Sequence, residues 1–245
     1  MIEVLAVLAA LTGAAPASAP ASSTAPAAGA AAEAREACTV RVADLVQPLR
    51  LSYEKLRAFE PQFLRFRFRL TPVSSHLLPD MLKLTLADGR VYPANRAGAF
   101  DIPSVAFPES EDAPVQIGPS CAGGFALGAE LAVTGQMQGA GQMQGAGANG
   151  AAVDGQAVRA AMAEYLALIE QQGVVVRMFA PRLRTLVVRF PVGQGGECEG
   201  RSAGKGARYR TDERYELNVS LKDYFQYESF DCRGTPEEIL LSAEG

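Results

Sequence analysis

Residues Phe63 to Leu70 read FLRFRFRL, and no other stretch restricts the fold of this chain so tightly. Leu64, Phe66, Phe68 and Leu70 fall on one side of an extended backbone, and Arg65, Arg67 and Arg69 fall on the other. Strict two-residue alternation describes a strand with one face in a core and one face in water. The same alternation recurs over Met81–Leu86, Leu183–Phe190 and Glu216–Leu221. The chain is therefore read as α+β, mostly antiparallel sheet, either sandwich-like or built as two β-rich halves.

The first residues are not fold material. Val4–Leu11 is a short apolar run, well below the roughly 20 residues that cross a bilayer. Ala15-Pro16-Ala17 follows as a small-residue cleavage signal, so 1–17 reads as a signal peptide, with a cut after Ala21 as the second choice. Met1-Ile2-Glu3 lacks the basic residues usual at the start of such a segment. Residues 18–37 are Ala- and Pro-rich and cannot bury enough apolar surface to offset chain entropy, which predicts a disordered tether. The folded part begins near Cys38. An N-terminal β-rich half is expected over 38–134, a Gly/Gln/Met linker or loop over 135–150, and a helix plus a second β-rich half over 151–245.

Within the first half the sequence predicts strands at 38–42, 81–87, 90–92, 99–102 and 125–133, with at most a short strand at 115–117. A short helix over 53–59 is expected after Ser52. Asp88-Gly89 between two extended runs signals a type I′ hairpin. In the second half Asp154 caps a predicted helix near 155–171. Val158, Ala161, Met162, Tyr165, Leu166 and Ile169 form one apolar stripe along it, and Gly173 ends it. Val174–Phe179 and Tyr224–Phe230 read as extended, Gly193–Gly206 as a loop, and 236–241 as a closing segment. The arginine-bearing runs FLRFRFRLTPV and LRTLVVRFPV are alike, which fits either a repeated half or shared strand composition.

Four cysteines, Cys38, Cys121, Cys198 and Cys232, stand at spacings unlike a zinc site. In an exported chain an even count reads as two disulfides. The expected pairs are Cys198–Cys232 and Cys38–Cys121. The 23 basic and 27 acidic residues, a formal charge of −4, give no reason to expect nucleic acid as a partner. No later segment approaches a transmembrane span.

Chemistry is sparse. The single histidine, His76, argues against an imidazole metal site, and no G-x-S-x-G elbow accompanies Ser74 and Ser75. Gly200–Gly206 has the look of a phosphate loop but leads into a strand rather than a helix. Asp212, Glu213, Glu216, Asp223, Glu228 and Asp231 cluster in sequence, which keeps a metal-independent hydrolase with paired carboxylates as an alternative. Met137 and Met143, in the repeated GQMQGA, offer soft thioethers for a weak Cu(I)-handling role. The row Arg65, Arg67, Arg69 is the leading candidate binding site, able to grip phosphates or carboxylates. The competing reading has these arginines paired with acids on neighbouring strands, Glu216 among them.

Tyr53-Glu54-Lys55-Leu56, the segment Gly98–Pro103, Met178-Phe179-Ala180-Pro181 and Thr235–Ile239 resemble an uncharacterised family of exported bacterial proteins of unknown function, over roughly residues 51–241. The resemblance implies export and a mixed fold, and no activity or site residue. The cysteines and the Gln-Met repeat lie outside its pattern. The resulting expectation is a non-catalytic envelope protein, periplasmic or extracellular, without a cofactor. It would bind an anionic envelope component or another envelope protein.

Overall fold

The computed structural model describes residues 38–49, 51–73, 77–103, 106–119, 124–134, 150–203 and 205–243. The signal peptide, the tether, His76, Cys121 and the methionine repeat expected above lie outside the described residues.

In chain order the first half contains β1 (Cys38–Arg41), α1 (Val42–Val46), α2 (Tyr53–Arg57), β2 (Leu64–Pro72), β3 (Lys83–Thr85), β4 (Val91–Pro93), β5 (Ala99–Phe100), β6 (Pro114–Gly118) and β7 (Phe125–Val133). The second half contains β8 (Gly150–Ala152), α3 (Gly155–Gln172), α4 (Val174–Phe179), β9 (Thr185–Arg189), β10 (Glu197–Ser202), β11 (Lys205–Arg210), β12 (Glu216–Ser220), α5 (Leu221–Tyr224), β13 (Ser229–Arg233) and β14 (Glu238–Ser242). The fold is α+β with antiparallel sheets and one long helix, α3.

The two halves repeat one topology. The first forms a sheet ordered β1-β6-β3-β4 and the second a sheet ordered β8-β13-β10-β11. The remaining strands, β5-β2-β7 and β12-β9-β14, join edge to edge into one six-stranded sheet. The join is antiparallel, β7 to β14, through the pairs Ala132↔Leu240 and Leu131↔Leu241. Identical strand order on either side of an antiparallel seam relates the halves by an approximate two-fold axis normal to the sheet.

Equivalent turns confirm the relation atom by atom. Asn95 Oδ1 accepts from the backbone N–H of Ala97 and Ala99, as Asp212 Oδ1 accepts from Arg214 and Glu216. Asn95 N–H donates to Ala99 O and Asp212 N–H to Glu216 O, both at 2.8 Å. Leu70 N–H reaches Gly98 O, and Phe190 N–H reaches Tyr215 O, both at 2.9 Å. Gly98 and Tyr215 share positive φ, 77° and 60°.

Each half encloses its own core on the same side of the shared sheet. Phe68, Leu70, Leu82, Leu84, Phe100 and Ile117 pack in the first. Leu64, Val158, Tyr165, Leu186, Val188 and Phe230 pack in the second. The alternation of β2 is realised: Leu64, Phe68 and Leu70 are buried, and Phe66 is half-buried between the two cores. Asp154 Oδ1 caps α3 through Gln156 N–H at 2.8 Å. The stripe along α3 is buried at Val158, Ala161, Tyr165 and Ile169, whereas Leu166 faces out. On its flank the Glu164 carboxylate accepts backbone N–H bonds from Gln62, Phe63 and Leu64 at 2.8–2.9 Å, tying the second half's helix to the start of β2.

Several local expectations are overturned. Val174–Phe179 is helical, not extended: Gly173, at φ 101°, breaks α3 and the chain restarts as α4, seating Val176 on the core. Tertiary packing outweighs the β preference of three consecutive valines. Gly193–Gly206 is largely the β10–β11 hairpin, with Cys198 on a strand. Tyr224–Phe230 ends α5 and turns before β13 begins at Ser229. The Asp88-Gly89 turn has positive φ at Gly89 alone, with Leu86 N–H donating to Arg90 O. That is a three-residue loop with a left-handed glycine, not type I′.

Candidate functional site

The outer face of the six-stranded sheet carries a row of charges, one from each strand or its immediate end. Glu216 lies on β12, Arg189 on β9, Glu238 on β14, Glu130 on β7, Arg67 on β2 and Asp101 just past β5. Arg189 is its centre. Its Nε donates to Glu216 Oε1 at 2.9 Å and its Nη1 to Glu238 Oε2 at 2.7 Å, while Nη2 lies 2.8 Å from Glu130 Oε1. The Arg189 and Glu130 side chains are each 5% exposed. Burial works against the Arg189 charge, but Glu130, Glu216 and Glu238 outweigh it and hold the guanidinium above its ordinary pKa. Register explains the arrangement, since Arg189 stands directly opposite both Glu216 and Glu238. Ala132, Val187 and Leu240 form a small apolar cluster beside it.

The arginines of β2 divide. Arg65 binds Asp101 Oδ2 at 2.7 Å on the exposed edge. Arg67, 11% exposed, donates to Glu238 Oε1 at 2.6 Å and lies 3.5 Å from Asp101. Arg69 is exposed and has no acidic partner among the described residues. Glu216, the partner expected from sequence, belongs to Arg189 instead.

The approximate two-fold gives Arg69 a counterpart. The turn bonds that superpose Leu70 on Phe190 place Arg69 on Arg189. Arg189 stands between Glu216 and Glu238, whereas Arg69 stands between Ala99 and Gly128. One arginine is clamped by two glutamates; its equivalent is flanked by two of the smallest residues. The Arg69 guanidinium lies over Gly128, where an added Cβ would sit 3.4 Å from Nε and Nη2. Among the described residues Arg69 is therefore a cation with open sides.

A groove of about 820 Å³ runs over this face along the seam. Arg69, Arg96, Arg189 and Arg214 line it together with Glu130, Asp212 and Glu216. Its walls are the two equivalent turns. Asn95 Nδ2 reaches Glu130 Oε2 at 3.2 Å, and Arg96 Nη2 donates to Phe190 O at 2.8 Å, so the first-half turn folds across onto the second half.

The acidic cluster noted in the sequence is dispersed. Asp212 caps its own turn, Glu216 binds Arg189, and Asp231 accepts from Ser229 Oγ. Glu213, Asp223 and Glu228 are exposed. Gly200–Gly206 belongs to a hairpin and makes no helix-borne phosphate cradle. Met137 and Met143 lie outside the described residues, and no group of acidic, His or Cys side chains among the described residues has metal-holding geometry. Cys198 and Cys232 face each other across β10 and β13 and are bonded, with Cα atoms 4.0 Å apart. This fits an oxidising environment. The second expected pair falls on Cys121, outside the described residues. No helix of the described residues is long and apolar enough to cross a membrane.

Sequence reasoning missed Arg189, Glu130 and Glu238. The parity of Leu183–Phe190 places Arg189 on the face opposite Leu186, Val188 and Phe190, a signal overlooked beside the arginine row of β2. Glu130 and Glu238 carried no such signal. No family model matches the chain, and no curated protein or solved structure matches it either.

Proposed function

We propose that this chain is a non-catalytic exported protein of the envelope that binds an anionic ligand at the seam of its shared sheet, with Arg69 as the anchoring cation. The observation that carries the proposal is the contrast between equivalent positions. Arg189 has its carboxylates built in; Arg69 has the same backbone setting with the carboxylates replaced by Ala99 and Gly128. A guanidinium with open sides accepts a carboxylate or phosphate from outside in bidentate fashion. The resemblance to exported bacterial proteins and the Cys198–Cys232 bond support the compartment. Binding is favoured over hydrolysis because Glu130, Glu216 and Glu238 each hold an arginine, which leaves none of them free as an acid or base.

The test is a titration of the full chain with acetate, phosphate and sulfate, followed by the arginine Nε–H resonances in NMR. The Arg69 signal should shift saturably, and Arg69→Ala should remove the response while Arg65→Ala preserves it. An Arg69 signal that ignores all three anions would overturn the proposal.

A further inference from the structure

The seam also holds an apolar space. β14 pairs with β7 only at Leu240 and Leu241, so β7 from Phe125 to Ala129 has no strand on that side among the described residues. A cavity of about 280 Å³ opens there, on the core side of the sheet, walled by Phe66, Leu131, Tyr165, Ile169, Val176 and Leu183. Its one phenol is already satisfied, as Tyr165 Oη donates to Pro181 O at 2.7 Å. Arg69, Ala129, Leu241 and Ser242 line both this cavity and the polar groove on the outer face. The two spaces thus meet at Arg69, around the end of β14.

We infer that the ligand of Arg69 is a single-chain fatty carboxylate, its head on the guanidinium and its tail in the cavity. The inference rests on the reading of Arg69 as an anion site. A cation with no acidic partner among the described residues, at the mouth of a mainly apolar cavity, is complementary to an amphiphilic anion. One planar guanidinium matches one carboxylate. The space lies near the ~300 Å³ at the lower end of small-ligand pockets, which suits one short chain and not the two of a diacyl lipid. α4 places Val176 in the wall, while Val174 and Met178, one turn apart, are exposed to solvent.

The experiment is calorimetric titration of the full chain with acetate, hexanoate, octanoate and decanoate, and with decanol as the uncharged control. Affinity should rise roughly fourfold per methylene (~0.8 kcal/mol) until the cavity is filled, then level off. Arg69→Ala should weaken decanoate by about tenfold or more and leave decanol unchanged. Ala129→Phe, which puts a ring into the cavity, should abolish the chain-length dependence. Ala129 is exposed on a strand, so the larger ring does not disturb a packed core. Decanoate binding no tighter than acetate would sink the acyl inference while leaving the anion site intact. The absence of any response at Arg69, acetate included, would sink both. The chain-length series on the unaltered protein decides the matter even if a variant fails to fold.

Discussion

Replacing Arg189 by Met removes the guanidinium from the middle of the charge row and retains much of its volume. The consequences for its three acids differ. Glu238 keeps Arg67 at 2.6 Å. Glu216, 23% exposed, turns to solvent. Glu130, 5% exposed, is left with the Asn95 amide at 3.2 Å and with Arg67 at 3.9 Å. The cost therefore concentrates on one buried carboxylate without its partner, for which about 3–5 kcal/mol is typical. At roughly 2–4 °C per kcal/mol for a folded unit of this size, the melting temperature should fall by about 6–20 °C. Glu130→Gln in the same background removes the stranded charge and should return about half of the loss, although Glu130→Gln alone destabilises. Urea unfolding of the four chains in a double-mutant cycle measures the coupling. A loss below about 1 kcal/mol for Arg189→Met, or strictly additive single substitutions, would refute the claim that the network is held by the burial of Glu130.

Four further outcomes are expected. Replacing Cys198 and Cys232 together by Ala should cost about 3–4 kcal/mol for a loop of sequence separation 34, read as a lower urea midpoint. Gly98→Ala should destabilise by roughly 1–3 kcal/mol, because the backbone is at φ 77° and the new Cβ would lie 2.2 Å from Leu70 O; a melting temperature within error of the parent would contradict this. Glu164→Ala should cost about 1–3 kcal/mol and speed hydrogen exchange at Phe63 and Leu64, whose amides it receives. Burial pushes the Tyr165 phenol up to about 12, against ~10 in an unfolded chain. Its folded-state pKa is raised, so its contribution is whole below pH ~10 and is lost as pH climbs toward 12. Tyr165→Phe should flatten that part of the alkaline stability curve, and an unchanged slope would show that another group governs it.

The elements most legible in the sequence were those whose own alternation or stripe decides their burial. The sequence places β2, β12 and α3 almost to their ends because Phe68, Leu217 and Val158 each carry the pattern locally. The misread stretches are those in which a distant contact reverses the local signal. Gly196 and Gly200 read as loop residues, yet an added Cβ would lie 2.2 Å from the Phe190 ring and 2.4 Å from the Tyr227 ring. They are glycines because aromatic rings lie over the backbone just before and within β10, not because the chain turns there. The candidate site was half legible for the same reason. The arginine row is local, but Arg67 finds Glu238 across 171 residues, and which arginine is left open depends on strands that meet only in the folded chain.

The approximate dyad through Leu131 and Leu241 bears on how far its two equivalent arginines can differ. In a symmetric dimer of separate subunits, any change beside one arginine is made beside both. The site can then be neutralised twice or opened twice, never one of each. Covalent joining lifts that constraint. Within one chain the two positions can differ: Arg189 is locked between Glu216 and Glu238, while its twin Arg69 stands between Ala99 and Gly128.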